Sequence, residues 1–97
     1  MKDQNERSLE VHHNIPEHRF EATVDGHRCV CDYHQQNGEM VFTHTYVAPE
    51  LRGRGLAEKL VRAALDYARQ ESFRVVPECS YVAAFIRRHR EYVQLTT

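Results

Sequence analysis

The sequence predicts one small α/β (α+β) domain over residues 1–97, a mixed and mostly antiparallel sheet completed by helices. Three observations carry this. The first half alternates apolar and polar residues at the period of half-buried strands, in runs separated by Asp25-Gly26 and Asn37-Gly38, dipeptides suited to two-residue hairpin turns. The second half changes to the 3.6-residue period of an amphipathic helix. Between the two lies Val47-Ala48-Pro49-Glu50-Leu51-Arg52-Gly53-Arg54-Gly55-Leu56-Ala57, a strand-to-helix junction around which the rest of the chain is arranged.

Taken in order, residues 1–7 read as a polar tail, and Leu9 and Val11 mark a short first strand before the Ile15-Pro16 break. Residues 19–24 place Phe20, Ala22 and Val24 on one face. The strand over 27–35 groups His27, Cys29, Cys31 and Tyr33 on one face. Strict alternation over 39–47 puts Met40, Phe42, His44 and Tyr46 on one face and Val41, Thr43, Thr45 and Val47 on the other. Pro49 then stops strand pairing.

A helix over 56–71 carries Leu56, Leu60, Val61, Ala64, Leu65 and Ala68 on its apolar face. Its other face bears Glu58, Arg62, Asp66 and Arg69, charges of alternating sign that suit a solvated surface. A strand over 73–76 ends at Pro77. Ser80 is the expected N-cap of a short helix holding Tyr81, Val82, Phe85 and Ile86 and running into Arg87-Arg88-His89-Arg90.

The composition narrows the function. The longest apolar run, residues 81–86, is too short to cross a bilayer, and no apolar secretion segment opens the sequence. A cytoplasmic protein is expected, as a monomer or weak homodimer. The net charge of −1 divides into −5 over residues 1–50 and +4 over 51–97. Eight of the nine cations after position 50 are arginines, the side chain whose planar fork matches phosphate. They are too dispersed, at a pI near 6.6, for a nucleic-acid footprint. A small polyanionic ligand fits better.

Three cysteines do not form a disulfide framework in an unsecreted chain. Same-face neighbours such as Cys29 and Cys31 stand roughly 6.6 Å apart on a strand, too far to converge on one zinc with bonds near ~2.3 Å. His12 and His13 point to opposite faces if extended. No metal is expected, and the paired thiols read as small apolar side chains.

The junction reads as an anion cradle. Gly53 and Gly55 let the backbone turn sharply and approach a ligand. The helix beyond them starts with N–H groups that have no intrahelical acceptor, at the positive end of the helix dipole. A phosphate or pyrophosphate fits such a place. Arg52 and Arg54 add charge-assisted donors that a purely geometric turn does not need. The plainer alternative, a solvated turn with two surface arginines, leaves that placement unexplained.

Val47-x-Pro49-x-x-Arg52-Gly53-Arg54-Gly55-Leu56-Ala57 resembles the acetyl-CoA motif of the GNAT superfamily of N-acetyltransferases, with Arg52, Gly55 and Ala57 at the motif positions. His44-Thr45, Pro77-x-Cys79-Ser80 and Arg88-His89-Arg90-Glu91-Tyr92 resemble more narrowly its minimal single-domain, YjdJ-type branch. The resemblance covers about residues 19–92. It implies a sheet in which the strand ending at Val47 and the strand at 73–76 splay apart. The pantetheine arm of acetyl-CoA would then bond to backbone near Tyr46 and Val47, and its pyrophosphate would lie on Arg52, Gly53, Arg54, Gly55, Leu56 and Ala57. Arg87 and Arg88 are further candidates for the CoA phosphates. The chain departs from larger members of the superfamily in two ways: it has no room for helices between the first strands, and His44 and Tyr46 stand where many have an acidic base.

The implied activity is acetyl-CoA-dependent transfer to an amine on a small molecule or protein, with no nucleic-acid or membrane partner. The alternative is a CoA-binding or partner-binding module of the same fold without efficient catalysis. Acetyl transfer needs a neutral amine and a proton for the departing thiolate. His44 is an imidazole that can serve as the base, directly or through water, and Tyr46 and Tyr81 are phenolic donors. Cys79, just before a helix N-terminus where the dipole favours a thiolate, is a candidate acid or nucleophile, with an inert buried thiol as the third reading.

Overall fold

In the computed structural model, which describes residues 9–97, five strands form one sheet in the order β1-β2-β3-β4-β5. The tail expected over residues 1–7 lies outside the described residues. The strands are β1 (His12–Asn14), β2 (Arg19–Val24), β3 (His27–Gln36), β4 (Glu39–Val47) and β5 (Arg74–Pro77). Helix α1 (Leu56–Gln70) joins β4 to β5 after a single 3-10 turn at Pro49–Leu51, and α2 (Ser80–Arg88) and a 3-10 segment (Arg90–Thr96) close the chain. Neighbours from β1 to β4 run antiparallel, and β4 pairs with β5 in parallel. This is the mixed, mostly antiparallel sheet that the sequence predicts.

The hairpins form as their turn residues require. Asp25 and Gly26 have φ of 53° and 79°, and Asn37 and Gly38 have 47° and 79°, the doubly positive signature that matches the right-handed twist of the flanking strands. The sheet's inner face supplies Phe20, Ala22, Cys29, Cys31, Tyr33, Met40, Phe42 and Val75 to a single core, onto which α1 and α2 lay Leu60, Leu65, Val82 and Phe85. A satellite cluster of Ala48, Leu51 and Leu56 anchors the junction between β4 and α1.

Three local expectations change. The first strand is His12–Asn14 rather than a strand on Leu9 and Val11, which pack at the edge of the core. His13 sets the register: its ring stacks on Phe20 at 4.0 Å and its Nε2 pairs with the Tyr33 hydroxyl at 2.7 Å. Cys79, not Ser80, is the N-cap of α2, with extended backbone and no side-chain cap bond.

The third change matters most for the site. The β3–β4 register slips at Asp32/Tyr33, where Asp32 faces His44 but Tyr33 faces Phe42, so Thr43 is the extra residue of a β-bulge. Beyond it the alternation inverts. Met40 and Phe42 stay in the core, but Thr45 and Val47 take the inner face, and His44 and Tyr46 turn outward. His44 and Tyr46 therefore do not share a face with Met40 and Phe42.

Candidate active site

Pairing between β4 and β5 stops at Phe42↔Pro77. The Cys79 N–H still donates to the Phe42 carbonyl at 2.8 Å; from Thr43 onward β5 no longer accompanies β4. This is the splay expected between the two strands. Its cause is local: Pro77 has no N–H to continue the ladder, and the bulge at Thr43 bends β4 where the chain turns into α2.

The freed edge of β4 presents specific backbone groups. The Ala48 N–H donates to the Arg28 carbonyl at 3.0 Å. In an antiparallel ladder, bonded pairs recur at every second residue, so Tyr46 opposite Val30 and His44 opposite Asp32 direct their peptides at β3. Thr45 and Val47 direct theirs into the gap. The Val47 carbonyl is already held by Arg52 Nε at 2.8 Å, which fixes Arg52 at the gap with its terminal nitrogens unengaged by that bond.

A cavity of about 410 Å³ opens here, bounded by Thr45, Tyr46 and Val47 on the strand, by Arg52, Gly53 and Gly55 on the turn, and by Leu56, Ala57 and Glu58 on the first turn of α1. Gly55 is the N-cap of α1 and lies in the left-handed region at φ 75°, with no side-chain cap bond. The first N–H groups of the helix thus lack the usual Ser or Asp oxygen and face the cavity with the positive end of the dipole. An ideal Cβ placed on Gly53 or Gly55 would meet no atom within 4 Å. That open space over bare backbone fits an approaching phosphate.

Seven of the ten residues predicted for the cofactor line this cavity: Tyr46, Val47, Arg52, Gly53, Gly55, Leu56 and Ala57. Arg54, Arg87 and Arg88 do not. Arg54 lies 3.7 Å from the Asp25 carboxylate, Arg87 is exposed on α2, and Arg88 lies 3.8 Å from Glu58 and bonds Tyr81, both of which line the cavity.

Three wall residues escaped the sequence-based site. Leu51 is there because the 3-10 turn folds it under the junction. Glu58 read as part of a solvated helix face, yet it meets both Arg88 and His89 Nε2, the latter at 3.9 Å. Thr45 escaped because nothing in the local pattern announces the bulge. Tyr81, considered as a proton donor, also lines the cavity; burial raises its pKa, with Glu58 adding to the rise and Arg88 opposing it.

Thr45 also connects two thiols. Its hydroxyl lies 3.5 Å from Cys79 Sγ and 3.9 Å from Cys31 Sγ. Burial pushes the Cys31 thiol up to about 12, so it stays protonated and packs as an apolar group. Cys79 is only partly buried. It stands behind Thr45, which itself forms the wall. His44 stands on the opposite face of the sheet, so the two candidate catalytic side chains flank the gap rather than sharing one side of it. Among the described residues, no three His, Cys, Asp or Glu side chains converge on a common point, and no helix is long and apolar enough to cross a membrane.

Comparison with known proteins gives a consistent family. Residues 19–95 match the family described as GCN5-related N-acetyl-transferase. The protein NATD1 of Bos taurus is 31% identical over 84 residues, covering 84% of this chain and 74% of that protein. NATD1 of Homo sapiens is 29% identical over 84 residues, with coverage of 84% and 74%. A GCN5-like protein of Staphylococcus aureus, solved by NMR, superposes with a TM-score of 0.72 at 26% identity, covering 90% of this chain and 86% of that one.

Proposed function

The chain belongs to the GCN5-related N-acetyltransferase family, and from that premise we propose that it transfers the acetyl group of acetyl-CoA to an amine. The observation that carries the reading is the gap beside the second half of β4, which opens onto an uncapped helix N-terminus. A linear thioester with a pyrophosphate at its far end matches that shape. The pyrophosphate lies on the Gly53–Gly55 turn and the Arg52 guanidinium, and the pantetheine arm bonds to the inward peptides of Thr45 and Val47. Acetyl-CoA supplies the activated acyl group. The free thiols of the described chain suit a reducing, cytoplasmic setting.

In this reading the amine reaches the acetyl carbon from the outer face, where His44 receives a proton on its way to water. The C–N bond forms, the C–S bond breaks, and CoA needs one proton as it leaves. The cavity wall is Thr45 rather than Cys79. The thiol proton therefore passes to the departing sulfur through the Thr45 hydroxyl, and direct attack by the amine is preferred over an acetyl-cysteine relay.

The test is release of CoA thiol from acetyl-CoA across a panel of amines. Amine-dependent release with the acetylated amine found by mass spectrometry supports the reading. A protein that binds acetyl-CoA but turns over no amine is a CoA-binding module instead.

A further inference from the structure

The sheet face turned away from the core carries a second cavity, about 240 Å³, lined by Arg19, Arg28, Val30, Asp32, His44 and Tyr46. The strand register makes it an ordered grid. Arg19, Asp32 and His44 form one row across β2, β3 and β4, and Glu21, Val30 and Tyr46 form the next. Tyr46 lines this cavity and the cradle cavity alike, so the two meet at the free edge of β4.

The chemistry of the grid is specific. Asp32 receives Arg19 Nε at 2.9 Å on one carboxylate oxygen, and a carboxylate retains acceptor sites for a second cation. His44 stands next to it in the same row. Among the described residues, the Arg28 guanidinium is held by a 3.5 Å contact to Glu21, weak enough to yield its fork to a better anion. Val30 and Tyr46 supply an apolar floor between these poles. The volume holds about eight water-sized groups at ~30 Å³ each, the size of a small molecule.

We propose that this cavity is the acceptor site and that the acceptor is a small zwitterion of α-amino-acid type; the proposal rests on the acetyltransferase reading above. The ammonium meets Asp32, the carboxylate meets Arg28, and the side chain lies on Val30 and Tyr46. The ammonium gives up two protons as the amide forms, both through His44 to water; CoA sulfur takes one proton from Cys79 through Thr45, and water returns one to Cys79, so that one proton is released per acetyl group transferred. Two guanidinium groups in so small a space oppose a second ammonium, which disfavours polyamines. A lysine side chain within a protein brings no carboxylate beside its amine.

The experiment compares L-alanine, L-valine and L-leucine with ethylamine, isobutylamine and 3-methylbutylamine, their decarboxylated counterparts. CoA release is followed with acetyl-CoA as donor, and the NMR shifts of the Val30 and His44 amides are followed in the protein with and without CoA. The amino acids are expected to exceed their amines in kcat/KM by about tenfold or more, the worth of a charged hydrogen bond. Arg28→Gln should remove that margin, lowering kcat/KM for the amino acids by far more than for the amines. Equal kcat/KM within each pair, or amide shifts that bypass Val30 and His44, would overturn the proposal while leaving acetyl transfer intact. If no amine releases CoA and acetyl-CoA does not stabilise the protein, the acetyltransferase reading fails. Amide shifts that favour the amino acids would even then support the zwitterion site, and their absence would end it.

Discussion

Gly55 combines two demands that no other residue type meets together. Its φ of 75° lies where a side chain is strained, and its bare backbone borders the cavity where the ligand must come close. Gly55→Val should destabilise the fold by about 1–3 kcal/mol and abolish stabilisation by acetyl-CoA, while the circular dichroism spectrum keeps its native form. Arg52→Ala should weaken binding less, because it removes donors without filling the cradle. If both variants bind like the parent, the cradle is only a turn. Cys79 and Thr45 make a second residue-scale case. With a proton passed along Thr45, Cys79→Ala and Thr45→Val should each slow turnover by about 100-fold, the lower end of the range of general acid catalysis, and leave acetyl-CoA affinity nearly unchanged. A thioester on Cys79, found by mass spectrometry after incubation without acceptor, would replace this route with a covalent one.

At the scale of elements, the features legible in the sequence are those whose cause is local. Asp25-Gly26 and Asn37-Gly38 announce their hairpins because few residues tolerate two consecutive positive φ values. Helix α1 is legible from its apolar stripe, and the cradle from Gly53, Gly55 and Arg52. The bulge at Thr43 is not, because it arises from pairing with β3 and leaves the apolar pattern of residues 40–42 intact. That single extra residue sends His44 to the outer face and Thr45 to the cavity. Strand β1 was misplaced for a related reason: His13 behaves as an aromatic plate, stacked on Phe20 and edge-on to Tyr67 at 4.4 Å. Burial, aided by the neighbouring His12, lowers its pKa. Tyr33 bonds it, and Tyr67 and His18 are the other titratable rings of the same aromatic cluster. Below a pH near ~6.5 the unfolded chain takes up a proton that native His13 resists. Stability should therefore decline as the pH falls from about 6.5 toward the lowered native value. Urea midpoints at pH 7.5 and 5.5 check this, and His13→Phe should show a shallower decline than the parent.

For the whole molecule, one hydrophobic core lies on one face of a sheet whose other face sets Arg19, Arg28, Asp32 and His44 beside the buried Val30, and the two cavities meet at the edge of β4 that the splay leaves free. A chain this small has a narrow stability margin, on the order of 5–15 kcal/mol at most, so a ligand that binds only the native state contributes a visible share. Acetyl-CoA at a hundred times its dissociation constant should add about 2.7 kcal/mol. For a domain of this length that corresponds to a rise in Tm of roughly 10–20 °C. The rise should follow the logarithm of ligand concentration. An acetyl-pantetheine fragment without phosphates separates the two parts of the site: it fills the gap beside Thr45 and Val47 but leaves the helix N-terminus and Arg52 without an anion. Its shift should be clearly smaller than that of acetyl-CoA and insensitive to Arg52→Ala. Equal shifts from fragment and intact cofactor would remove the cradle from the binding site, and no shift from acetyl-CoA at millimolar concentration would remove the cofactor itself.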